Sequence, residues 1–99
     1  MTPFNGLSPA EAEGLAILME EMGEAQQVIG KILRHGYDSY HPDDPEETSN
    51  RTLLAIEMGH VWCATQMLVT PQNISGMILE FSRCEKHEKV KRWTHHQEE

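Results

Sequence analysis

The residues best suited to chemistry in this chain are Glu20, Glu21 and Glu24 in the string MEEMGEA, and Glu57 and His60 in LAIEMGHVW. A spacing of three puts Glu21 and Glu24 on one helical face, the face that also carries Ile17 and Val28. Glu57 stands where the row Leu54, Val61, Ala64, Leu68 calls for an apolar residue, and His60 interrupts the row Leu53, Ile56, Cys63, Met67. A buried carboxylate is costly unless it is paired or metal-bound, and several that converge repel one another. A divalent cation removes both penalties. Hard oxygen ligands around an open cavity suit Mg²⁺ or Mn²⁺, which retain waters and bind substrate phosphates. The competing reading of the same spacing is a solvated helix face for Glu20, Glu21 and Glu24, with Glu57 paired to Arg34 or Arg51.

These residues need long helices to hold them. Ser8-Pro9-Ala10-Glu11 supplies an N-cap serine, a proline at the first helical position and a glutamate three after the cap. Leu15, Leu18, Met22, Ala25, Ile29 and Ile32 then recur at spacings of three and four as far as His35-Gly36, so a first helix is expected over 9–35, about 40 Å long. The polar segment GYDSYHPDDPEETSN reads as a loop. The second helix starts either at the Asp44-Pro45-Glu46-Glu47 capping pattern or later, at Ser49 or Asn50. It is apolar over a wide arc, and Thr70-Pro71 is expected to stop it and cap the next. Ile74, Met77, Ile78, Phe81 and Cys84 mark a third helix that frays after Trp93. The expected architecture is one all-α domain over 1–99, an antiparallel bundle of three main helices with room for a short fourth.

Composition narrows the partners. Sixteen acidic against eight basic residues give a formal charge of −8, which argues against a sequence-independent grip on nucleic acid or on an anionic membrane. A polyanionic ligand would need intervening cations. Cys63 and Cys84 lack metal-ligand spacing and read as buried apolar groups in a reducing compartment. There is no basic region followed by an apolar core at the N-terminus and no apolar run of about 18 residues, so a soluble, cytoplasmic protein is expected. A chain of 99 residues buries a limited share of its surface, and a homo-oligomer, dimer or tetramer, follows as an expectation.

The paired motifs EExxE in LMEEMGEAQQVIGKILRHG and the acid of LAIEMGHVWCAT about 30 residues later resemble the EExxE...ExxD signature of MazG-like nucleotide pyrophosphohydrolases. GKILRHG, the Asn50-Arg51 pair and the terminal stretch around Lys89, Val90, Arg92, Trp93 and His95-His96 resemble small phage and bacterial members of that group, so the likeness spans roughly residues 7–97. The resemblance implies an all-α enzyme that hydrolyses nucleoside triphosphates to monophosphate and pyrophosphate with Mg²⁺ or Mn²⁺. It makes Glu21, Glu24 and Glu57 metal ligands and Glu20 the group that orients or deprotonates the attacking water. At the fourth metal-ligand position this chain departs, because His60, the candidate ligand there, stands where the family carries aspartate. An imidazole suits Mn²⁺, Fe²⁺ or Zn²⁺ better than Mg²⁺, so a nucleotide-binding or sensing module with weakened catalysis is the alternative. Lys31, Arg34, Arg51, Lys89 and Arg92 are candidates for outer phosphate contacts, and Asn50 for a base or sugar contact or an N-cap. Tyr37 and Tyr40 are candidates to touch a base, Trp62 to face a partner helix or subunit, and His95-His96 carry only a weak zinc signal.

Overall fold

The computed structural model describes residues 4–97 and is all-helical, with three helices and no strand among the described residues. Helix α1 spans Pro9–His35, α2 spans Asn50–Met67 and α3 spans Gly76–Trp93. The described residues form two compact units, one ending at Leu68 and one beginning at Val69.

In the first unit α1 begins at the expected cap. The Ser8 hydroxyl accepts from the Glu11 N–H and the Glu11 carboxylate accepts from the Ser8 N–H, which satisfies two otherwise orphaned donors. At the other end Gly36 closes the helix at φ +91°, a conformation that disfavours any residue with a Cβ, and its N–H donates to the Ile32 carbonyl. Helix α2 takes the later of its two expected starts, with Ser49 as N-cap. Asp44 is occupied in the loop instead: its carboxylate accepts from the N–H groups of Glu46 and Thr48, both at 2.9 Å. Those bonds hold the Asp44 carboxyl below the usual carboxylate range.

Helices α1 and α2 run antiparallel. Near the start of α1, an added Cβ on Gly14 would lie 3.0 Å from Leu68 Cδ2, so glycine there lets Leu68 seat against the helix. Near its end, the Asn50 side-chain amide donates to the Gly36 carbonyl at 3.2 Å. Between these points the buried residues are small or β-branched: Ala25 and Val28 from α1, Ala64 from α2. The seam is narrow, and much of the apolar surface lies outside it. Leu15, Met22 and Ile29, spaced by seven on α1, are exposed, as are Ile56, Trp62 and Met67 on α2. Cys63 and Cys84, expected to be buried, are both exposed free thiols. Each belongs to an apolar row of its helix, but its own side chain stands in solvent.

In the second unit α3 is capped by Ser75, whose hydroxyl accepts from the Ile78 N–H. Thr70-Pro71, expected to cap this helix, lies in the turn before it, where the Thr70 carbonyl accepts from the Asn73 N–H. No residue of α3 is buried, and Met77, Ile78 and Phe81 stand exposed. Its polar residues pair along the helix, Glu85 with Lys89 at 2.7 Å and Glu88 with Lys91 at 3.3 Å. No helix among the described residues is long and apolar enough to cross a membrane.

Candidate metal centre

Midway along the α1–α2 seam the apolar packing is interrupted by four side chains. Glu21 and Glu24 come from α1, Glu57 and His60 from α2, and one potential ligand atom from each lies within 4.8 Å of all the others. His60 Nδ1 is 3.5 Å from Glu21 Oε2 across the seam and 3.4 Å from Glu57 Oε2 one turn away on its own helix. The Glu21 and Glu57 side chains retain 24% and 18% of their exposure, whereas His60 keeps 53% and forms the solvent side of the group.

Two carboxylate oxygens, Glu21 Oε2 and Glu57 Oε2, are buried without a hydrogen-bond donor. A buried acceptor left unpaired loses its hydration without recovering it elsewhere, so atoms of this kind call for an explanation. Glu24 reports the same crowding. Its carboxyl is pushed above the usual range chiefly by the charge of Glu21, then by burial, and then by Glu57 and Glu20. Lys31 and Arg34 make no ion pair with Glu57, and Arg51 pairs with Asp38 instead, so the cations nearest in sequence leave the acids uncompensated. Three carboxylates and an imidazole converging from two helices, with two donorless oxygens, are a donor set into which a divalent ion fits.

Glu20 lies beside this group, exposed on α1, and its charge is felt at Glu24. Lys31 is seven residues, roughly 10 Å, further along the same face of α1. There it lines a cavity of about 120 Å³ with His35, Tyr40, His41, Asn50 and Leu53. Asn50 is buried and bonded to Gly36 rather than serving as the N-cap. Arg51 lies over the Tyr37 ring, 4.4 Å from its centroid, and is 3.4 Å from Asp38, which ties the loop to the start of α2. Arg34 is exposed in the last turn of α1. Lys89 and Arg92 belong to α3, where Lys89 is held by Glu85. Among the pocket-lining residues, His35 and His41 carried only the signals of a helix end and a loop; the i, i+4 spacing of Lys31 and His35 is what could have linked one of them to the seam.

No known family model matches the chain, and neither a curated protein nor a solved structure matches it. The likeness to MazG-like enzymes therefore rests on the motif residues themselves.

Proposed function

We propose that this chain is a metal-dependent nucleoside triphosphate pyrophosphohydrolase of MazG-like type, releasing monophosphate and pyrophosphate. The observation that carries the reading is the meeting of Glu21, Glu24, Glu57 and His60 ligand atoms within 4.8 Å, in a group where Glu21 and Glu57 each have a buried oxygen with no donor. The EExxE motif and its partner acid on α2 supply the rest of the argument.

When bound there, Mg²⁺ or Mn²⁺ would supply charge stabilisation at the phosphoryl oxygens and a water of lowered pKa. Glu21, Glu24 and Glu57 would hold it, and the exposed carboxylate of Glu20 would take a proton from the attacking water. The water oxygen forms the new bond to the α-phosphorus, the bond to the α–β bridging oxygen breaks, and pyrophosphate leaves with that electron pair. Lys31, half-buried on the same face of α1 as Glu24, would meet the substrate's phosphates. Arg34 and Arg51 of the same unit are further candidates for outer contacts. A cytoplasmic setting and a homo-oligomer, dimer or tetramer, belong to the same proposal; the support for the latter is the small set of buried apolar residues, Ala25, Val28, Ala64 and Leu68.

A second reading, a nucleotide-binding or sensing module, is favoured by one observation: His60 occupies the position of the family's aspartate. One assay separates the two. The purified protein is incubated with ribo- and deoxyribonucleoside triphosphates in Mg²⁺ or Mn²⁺, and monophosphate and pyrophosphate are measured against Glu24→Gln. Release that disappears in the variant supports the enzyme. Metal-dependent nucleotide binding without release supports the module. Failure of both in the wild-type protein refutes the site.

A further inference from the structure

We infer that His60 is itself a metal ligand, through Nδ1, and that it sets the centre for a borderline divalent ion of the Mn²⁺, Fe²⁺, Co²⁺ or Zn²⁺ class in preference to Mg²⁺. The inference rests on the metal site proposed above and concerns which ion that site selects.

The geometry identifies the nitrogen. Nδ1 is within 3.4 and 3.5 Å of the two donorless oxygens, Glu57 Oε2 and Glu21 Oε2, so an ion satisfying both oxygens would lie beside that atom. Neither approach is a hydrogen bond in this structure, and both oxygens are buried without a donor. The i, i+3 step from Glu57 to His60 puts both side chains on one helix face, so α2 presents an oxygen and a nitrogen donor together.

The chemistry then selects the ion. A fourth carboxylate in place of His60 would give four negative charges and an all-oxygen set, which favours a hard ion such as Mg²⁺. A neutral imidazole removes one of those charges and adds a nitrogen donor. Mg²⁺ loses electrostatic attraction and gains little from the nitrogen, whereas later first-row ions bind imidazole well. His60 also forms the solvent side of the group, 53% exposed, so the ring can adjust toward an ion without repacking the seam.

The test uses the full-length protein and Mn²⁺ as probe. Pulsed electron paramagnetic resonance on protein containing ¹⁵N-labelled histidine reads directly whether an imidazole nitrogen is bound to Mn²⁺. A ¹⁵N coupling in the wild type that is absent from Glu24→Gln and from His60→Asp is the expected result. Calorimetric titration should show His60→Asp shifting the ratio of Mn²⁺ to Mg²⁺ affinity toward Mg²⁺ by at least about tenfold. Mn²⁺ bound in a Glu24-dependent way with no ¹⁵N coupling would overturn this inference while leaving the acidic site standing. No Glu24-dependent binding of either ion would overturn the site as well. The wild-type spectrum and Glu24→Gln decide the matter even if His60→Asp does not fold.

Discussion

His60 Nδ1 lies 3.5 Å from Glu21 Oε2, so the two helices of the first unit meet at their most polar point through a pair that is not hydrogen-bonded. Such a junction leaves two carboxylate oxygens buried without a donor where the seam would otherwise pack. The α1–α2 seam gives up apolar packing at one level, and the acids gathered there repel one another.

The first prediction follows from that tension. Glu24→Gln removes one of the repelling carboxyls, so without divalent ions the variant should melt at or above the wild-type temperature. With Mn²⁺ the order should reverse, because an ion that binds only the native state stabilises by about 2.7 kcal/mol at a hundred times its dissociation constant. Thermal melts with chelator and with Mn²⁺ provide the comparison. Equal Mn²⁺ shifts in the two proteins would show that Glu24 is no ligand.

Asn50 offers a contrast between a structural and a binding role. Its amide ties the start of α2 to the Gly36 carbonyl from a buried position. Asn50→Ala should therefore lower stability by about 1–3 kcal/mol, the usual consequence of leaving a buried group unpaired. Chemical denaturation measures it. A variant of unchanged stability with a raised KM for nucleotide would instead make Asn50 a substrate contact.

Asp44 gives a pH dependence with a defined sign. Its folded carboxyl titrates below the usual range because the Glu46 and Thr48 N–H groups bind the anion. The folded state thus binds fewer protons than the unfolded one, and the contribution is present above the ordinary aspartate value and lost as pH falls through the lowered one. Asp44→Asn should flatten the acid limb of a plot of melting temperature against pH. An unchanged acid limb would mean that the loop carries no such linkage.

Parts of this structure were legible in the sequence because they depend on neighbours along the chain. The Ser8, Pro9 and Glu11 cap and the Gly36 stop are local chemistry, and α1 has the bounds they dictate. The start of α2 was ambiguous for the same reason: Asp44 and Ser49 both carry cap chemistry, and the loop bonds that engage Asp44 decide for Ser49. Grouping Glu21 and Glu24 follows from helical spacing, and bringing them to Glu57 required only that the two helices pair antiparallel. Periodicity failed at Cys63 and Cys84. It tells which residues share a face, and it does not tell which of several apolar faces finds a neighbour.

That surplus of apolar faces leads to the last prediction. Leu15, Met22 and Ile29 form a stripe two turns per step along α1, with exposures of 43%, 49% and 43%. On a helical wheel this stripe sits on the flank of α1 opposite to Glu20 and Glu24, so a second copy could cover it and leave the acidic centre open to solvent. A chain with so few buried apolar residues gains most by covering such a stripe. The protein should therefore sediment at a multiple of its 11.3 kDa chain mass. Met22→Lys, which puts a charge in the middle of the stripe, should shift it toward the single chain and lower its melting temperature. Because Met22 is not among the grouped ligands, Mn²⁺ affinity should persist in the variant if each site is built within one chain. A wild-type protein that sediments as a single chain at every concentration measured would show that the stripe is tolerated in water.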